Sequence, residues 1–439
     1  MKKMFLLTCL FGFAIITNAQ VKGVLDRVKQ RAKDKSNQKV NTTADNTVDS
    51  AFNKTERTVK GVAKDITTKD TTKKNNPDEQ VNMSNSGSNN SFNNNTSQTS
   101  IKTYSKYDFV PGEKIIGFED FSTGEIGDFP AGWNTNAAGE IVTIENKPGR
   151  WLKLTKQGVF TPEFTDKYPE DFTFEFDLLH SYEQGGNPQY LFFSIAELQN
   201  VNTPQTWGVD NNRYTIILLP GQTDEETGAC ESEVRQNGGG SGNTVRTNQL
   251  GNQNRLVHIS IWRQKERVRV YMNEEKVWDV PKAMTKDIQY NSLVFFQKDV
   301  DLNFLYFLGN LRLAVGAPDT RKKMLEQNKW VTHGILFDVN SADIKPESYG
   351  TLKEMANVLK EYPDLKVKII GHTDADGNDA SNLDLSKRRA TSVKAALAKE
   401  FSIDESRMQT DGKGESEPID KNDNPAGKAN NRRVEFIKI

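Results

Sequence analysis

The chain of 439 residues carries 58 Lys and Arg against 59 Asp and Glu, a formal charge of −1, with 35% hydrophobic residues. That length gives room for two or three domains, while the low apolar content leaves part of the chain without a core of its own. Two cysteines, Cys9 and Cys230, exclude a disulfide framework, so the folded parts must stand on apolar packing.

The first residues, MKKMFLLTCLFGFAIITNAQ, place two lysines before an apolar run from Met4 to Ile16. Thr17 and Ala19 occupy the −3 and −1 positions of a cut before Gln20, so residues 1–19 read as a secretory signal peptide and the protein as exported. Cys9, with eight residues before it, is poorly placed for a lipoprotein cut. No later run of eighteen apolar residues occurs, and no transmembrane helix is expected. Residues 21–76 hold fourteen Lys and Arg against seven Asp and Glu, a local balance of +7. They read as a solvated arm, with attachment to an anionic envelope polymer or lipid head groups as the sharper alternative. The arm has only Phe52 to interleave with its cations, which argues against a nucleic-acid partner. PDEQVNMSNSGSNNSFNNNTSQTS, at 77–100, is an Asn/Ser linker. Residues 20–112 together are expected to be a basic, low-complexity, mostly disordered arm and linker.

Residues 113–317 change texture to short alternating runs broken by Gly, Asn and Pro. FTFEFDL sets Phe172, Phe174, Phe176 and Leu178 on one face and Thr173, Glu175 and Asp177 on the other, the second face expected to be solvated. YLFFSI, YTIILL, LVHISIW and RVRVYMNEEKVWDV, the last with a turn at Asn273–Glu274, continue the pattern. Many short strands over two hundred residues predict an all-β sandwich, jelly-roll-like. YMNEEKVWDVP resembles the turn between adjacent strands of laminin-G-like, concanavalin-type folds. A membrane barrel would need longer strands and aromatic girdles. The segment GACESEVRQNGGGSGNTVRTNQLGN reads as one long polar excursion, with Cys230 in a flexible loop. Glu175 and Asp177 could serve as paired carboxylates of a glycan-cleaving enzyme, but the strand does not continue that pattern past Leu178 and Leu179.

Residues 318–439 alternate strands with helices. ILFDV reads as a strand, SADIKPESYGTLKEMANVLKEYP as a helix ending at Pro363, LKVKIIGH as a strand, LSKRRATSVKAALAKEF as a helix and RRVEFIKI as a last strand. This βαβαβ order predicts a small α/β sandwich. Asp374 falls just past the middle strand. An EF-hand loop begun there fails, because its sixth and twelfth positions are Asp379 and Leu385. Arg389 lies on the apolar stripe of Leu385, Val393 and Leu397, where a guanidinium needs a partner: Asp374 itself, or a ligand held between the two. His372 reads as a hydrogen-bonded turn residue, four histidines offer no zinc cluster, and no activated nucleophile is visible. The glycines of Gly412-Lys413-Gly414 read as turn residues. No cofactor and no metal are expected.

Phe337-Asp338, Gly371-His372-Thr373-Asp374, Asn382-x-x-Leu385-Ser386-x-x-Arg389-Ala390, Gly412-Lys413-Gly414 and Asn431-Arg432-Arg433-Val434 occur in the order of the OmpA-like C-terminal domain, which residues 325–439 resemble. The resemblance implies non-covalent binding of peptidoglycan through the meso-diaminopimelate of its stem peptide. Asp374 would take the ammonium and Arg389 the carboxylate. Thr373, Asn382 and Leu385 would line the cleft, the Phe337–Asn340 loop with Asp338 would form its other wall, and Arg432 would lie nearby. It implies a non-enzymatic protein of the Gram-negative periplasm that ties outer-membrane components to the wall, and the two-part architecture leaves the sandwich to engage an outer-membrane protein or a glycan. A glycan-cleaving enzyme localised by this domain, or an outer-membrane barrel with a periplasmic anchor, are the alternatives.

Overall fold

A computed structural model describes residues 107–182, 187–200, 212–222, 225–252, 255–301, 303–316 and 319–439. The signal peptide and residues 20–106 of the expected arm and linker lie outside the described residues, whereas residues 107–112, assigned to the same linker, are mostly buried against the folded parts. In chain order the strands of the first part are β1 (Lys114–Glu119), β2 (Trp133–Thr135), β3 (Gly139–Ile144), β4 (Lys147–Leu154), β5 (Gly158–Pro162), β6 (Asp171–Tyr182), β7 (Leu191–Ala196), β8 (Arg213–Leu219), β9 (Gly228–Gln236), β10 (Gly239–Thr247), β11 (Leu256–Gln264), β12 (Arg267–Met272), β13 (Glu275–Val280), β14 (Ser292–Gln297) and β15 (Phe304–Val315). They form two sheets, β13-β12-β11-β6-β15-β4-β3 with β1 also on β15, and β10-β9-β8-β7-β14-β5-β2. Every pairing is antiparallel.

The two sheets share one apolar core, so this part is a sandwich and not a closed barrel. Alternation along β6 puts Phe172, Phe174, Phe176 and Leu178 into that core. There Phe174 stacks on Phe193 at 5.3 Å and Phe176 meets Phe295 edge-on at 5.0 Å. Each buried phenylalanine contributes about 1.5–3 kcal/mol. A one-residue slip of β6 would turn all four out of the core, which fixes the register.

Two expectations for this part change. The long polar stretch is the hairpin β9–β10, turned by Asn237 and Gly238, both at positive φ, as a two-residue type I′ turn requires. Cys230 is therefore a buried strand residue, its thiol 3.3 Å from the Trp278 indole nitrogen and pushed up to about 12 by burial. The second correction concerns the outer face of β6, which is covered. Glu175 is 1% exposed, and Thr173 is buried while accepting a hydrogen bond from the Gly112 amide. Arg312 on β15 grips Glu175 at 2.6–3.0 Å and donates to the His333 carbonyl of the C-terminal part at 2.8 Å. His258 lies between Asp177 at 2.7 Å and Glu175 at 3.3 Å. Burial alone would lower the His258 pKa, but the two carboxylates outweigh it and push it up to about 10. Burial would raise Glu175, yet Arg312 and His258 hold it below the usual carboxylate range.

The C-terminal part runs β16 (Lys329–Thr332), α1 (Tyr349–Glu361), β17 (Val367–His372), α2 (Asp379–Phe401), β18 (Met408–Gly414), α3 (Pro425–Asn431) and β19 (Val434–Lys438). Its sheet order is β16-β19-β17-β18, with only the β17–β18 pair parallel. Compared with the expected βαβαβ order, the first strand moves upstream. ILFDV makes only a bridge between Phe337 and Ile344, whereas Trp330 of β16 stacks on Phe436 of β19 at 5.4 Å. β18 and α3 are additional. The glycines of Gly412-Lys413-Gly414 belong to β18, where a Cβ on Gly412 would lie 2.4 Å from the Lys387 amide nitrogen. A Cβ on Gly371 would lie 2.3 Å from the Ser386 carbonyl oxygen. Glycine on both strands lets α2 cross close to the sheet, and that approach sets the position of Arg389, one turn further on.

Both parts meet along β1 and the residues just before it. The Asn430 side chain accepts from the Ile115 amide and donates to its carbonyl, both at 2.9 Å, as a neighbouring strand would. Tyr107 and Phe109 pack on Tyr271 and Trp262 of the sandwich. The Phe109 carbonyl lies so close to Gly350 of α1 that a Cβ there would be 2.0 Å away.

Candidate functional site

β17 ends by delivering Thr373 and Asp374 to the edge of the sheet, and the Thr373 amide donates to the Gly414 carbonyl at 2.9 Å. The Asp374 carboxylate then accepts from the Asp376 amide at 3.2 Å, which turns the chain toward α2. Asn378 caps that helix, accepting from the amides of Ala380 and Ser381. Asn382, on the first turn, donates to the Asp374 and Asp376 carbonyls at 3.3 and 3.0 Å and to Glu415 at 2.6 Å. Its geometry is that of a staple holding the aspartate loop in shape. Leu385 is buried one turn below it.

A second group forms around Arg389. Its Nε donates to the Ser341 carbonyl at 2.9 Å and its Nη2 toward the Asp338 carbonyl at 3.4 Å, while the guanidinium lies 4.9 Å over the Phe337 ring. The Phe337–Asn340 loop thus wraps around this arginine. Asn340 turns it in the left-handed conformation and is exposed. The Asp338 carboxylate points to Lys345 at 4.0 Å. Burial, and then the nearby Arg432 cation, push the Arg389 pKa down to about 10, with Asp374 working in the opposite direction.

The structural ion pair considered between Asp374 and Arg389 does not form. Asp374 pairs with Arg432, whose Nη1 lies 2.5 Å from Oδ2. Sequence spacing did not reveal this contact, because the two residues are separated by 58 positions. Asp374, Asn382 and Arg432 therefore make one hydrogen-bonded cluster beside Thr373, and Phe337, Asp338 and Arg389 another, coupled through the charges of Arg389, Arg432 and Asp374. Lys428 of α3, which sequence reasoning did not single out, pairs with Asp376 at 2.6 Å. His372 is a buried strand residue, 3.6 Å from Glu435, rather than a turn residue. A carboxylate paired to one guanidinium with a second guanidinium nearby could suit a ligand that presents both an ammonium and a carboxylate.

No group of three or more His, Cys, Asp or Glu that could hold a metal occurs among the described residues. Glu175 and Asp177, the carboxylates weighed for glycan cleavage, are bound to Arg312 and His258 under the C-terminal part and do not present an open acid/base pair. A groove of about 780 Å3, lined in part by Leu179, Ser181, Leu256 and Phe307, lies on the sandwich apart from the Asp374 cluster.

Residues 336–432 match the model of the OmpA family. Among curated proteins, the chain is 46% identical over 104 residues to the probable lipoprotein YiaD of Escherichia coli, covering 24% of this chain and 47% of that protein. It is 45% identical over 101 residues to outer membrane porin F of Pseudomonas fluorescens, covering 23% and 31%. The chain thus spans less than half the length of these relatives. Among solved structures, the peptidoglycan-associated lipoprotein of Burkholderia pseudomallei is 28% identical, with 24% of this chain and 88% of that one covered and a TM-score of 0.23. The C-terminal part is OmpA-like. No helix among the described residues is long and apolar enough to cross a membrane.

Proposed function

We propose that this protein binds peptidoglycan non-covalently and anchors envelope components to the wall without catalysing a reaction on it. The observation that carries the reading is the cluster of Asp374, Arg389 and Arg432 inside the segment that matches the OmpA family. The ligand is the free end of meso-diaminopimelate, its ammonium on Asp374 and its carboxylate in the planar fork of Arg389. Thr373 and Leu385 line the cleft, Asn382 holds its floor, and Phe337, Asp338 and Asn340 form the wall opposite. Binding exchanges one cation for another on Asp374, because Arg432 already neutralises it. The protein is exported to the periplasm, residues 1–19 being removed and the arm and linker ahead of residue 107 acting as a tether. Residues 113–317 form a jelly-roll-like sandwich that engages an outer-membrane protein or a glycan, and residues 318–439 grip the wall.

The test is co-sedimentation of the full mature chain with insoluble peptidoglycan of diaminopimelate and lysine types. Truncating one partner of a desolvated charge pair costs about 2–5 kcal/mol, so Asp374→Asn and Arg389→Gln should each lose about thirtyfold or more in affinity. Folded variants that sediment with both walls as well as wild type would sink the reading.

A further inference from the structure

Arg432 follows α3 in the C-terminal part, yet its guanidinium is shared between partners from two parts of the chain. Its Nη1 donates to Asp374, and its Cζ lies 5.1 Å from the centre of the Phe118 ring. Phe118 belongs to β1 of the sandwich. The ring is not there by the chance reach of one side chain. β1 is fixed to α3 two residues before Arg432 by the paired hydrogen bonds of Asn430 to Ile115. Ile115, Ala314 and Ala429 form a small apolar cluster there, with Phe118 and Ala426 packed against it. The Asn430 side chain on the Ile115 backbone and the apolar cluster therefore set where the ring meets the guanidinium.

The consequence lies at Asp374, which is 8% exposed. One of its oxygens takes the Asp376 amide and the other takes Arg432. A cation approaching from outside must compete with Arg432 for this carboxylate, and whatever holds Arg432 in place strengthens the competitor.

We propose that Phe118 is a positioning residue of the C-terminal site: through Arg432 it sets how readily the ammonium of a wall ligand reaches Asp374, which makes the sandwich part of the binding site. This rests on the reading of Asp374 as the ammonium acceptor. The ring face attracts a guanidinium electrostatically, and at a partly exposed position that attraction corresponds to about two- to fivefold in equilibrium. Leucine at 118 keeps an apolar side chain on Ile115 and Ala429 but has no ring face. Tyrosine keeps the face.

The experiment is sedimentation of the full mature chain with insoluble diaminopimelate-type peptidoglycan, using Phe118→Leu and Phe118→Tyr, each with Arg432 and with Arg432→Gln. Urea unfolding of each variant verifies that it folds. Phe118→Leu should tighten binding about two- to fivefold, and Phe118→Tyr should leave it unchanged. In the Arg432→Gln background, Phe118→Leu should have no effect. Weakened or unchanged binding in Phe118→Leu overturns the proposal, as does an equal effect with and without Arg432, which a merely structural role of the ring would produce. Asp374→Asn and Arg389→Gln, run alongside, separate the two levels. If both lose binding while Phe118→Leu does nothing, this proposal fails alone. If both bind normally, the wall-binding reading fails first.

Discussion

Replacing Arg312 by methionine should be among the most costly single changes in the molecule, and the structure says roughly by how much. Arg312 makes three hydrogen bonds to Glu175, which is 1% exposed, and a fourth to the His333 carbonyl across the junction. Breaking a buried pair by removing one partner leaves an uncompensated charge and costs about 3–5 kcal/mol. His258 remains 3.3 Å from Glu175 as a residual cation, which places the expected loss near the lower end, about 3 kcal/mol. At about 2–4 °C per kcal/mol for domains of 150–250 residues, melting should fall by about 6–12 °C. Urea and thermal unfolding followed by tryptophan fluorescence would measure both quantities. Adding Glu175→Gln removes the stranded charge, so Glu175→Gln/Arg312→Met should recover much of the loss. The reasoning is refuted if Arg312→Met costs less than about 1 kcal/mol, or if the double variant is as unstable as the sum of its singles.

The same network predicts a pH profile. His258, raised from 6.5 to about 10, contributes stability that is complete below pH 6.5 and lost as pH rises through about 10. Glu175 and Asp177, both lowered, contribute stability present above the ordinary carboxylate range and lost as pH falls through their depressed values. Urea midpoints between pH 7 and 10 should therefore decline in wild type and stay flatter in His258→Gln; equal slopes would discard the assignment. Gly371→Ala should destabilise by about 1–3 kcal/mol, because its Cβ would enter the Ser386 backbone. Gly239→Ala, with nothing nearer than 3.6 Å, should stay within about 0.5 kcal/mol. Indistinguishable midpoints for the two would reject the close approach of α2.

What the sequence revealed follows from how local each signal is. Alternation along FTFEFDL identified the inward face of β6, and the stripe Leu385, Val393, Leu397 identified the buried side of α2 with Arg389 upon it. The outward face of β6 was misread because the residues that cover it, Arg312 and His333, come from more than 130 positions away. The β9–β10 hairpin did carry a local signal, Asn237-Gly238, hidden among other glycines and asparagines. β18, MQTDGKG, shows almost no apolar alternation, because its glycines answer to a helix crossing above it and its pairing with β17 is supplied by backbone. At the candidate site the aspartate loop and Arg389 were legible. The partner of Asp374 was not, since α2, β18 and α3 lie between it and Arg432 in the chain.

The residues that precede β1 have a mechanical meaning. Phe109 and Tyr107 are wedged between the sandwich and α1, a few residues ahead of the Asn430 clasp on Ile115. These residues sit at the seam between the sandwich and the C-terminal part. Pulling residue 107 outward would have to break the aromatic packing on β11 and β12 and the close contact with α1 before β1 could peel from β15.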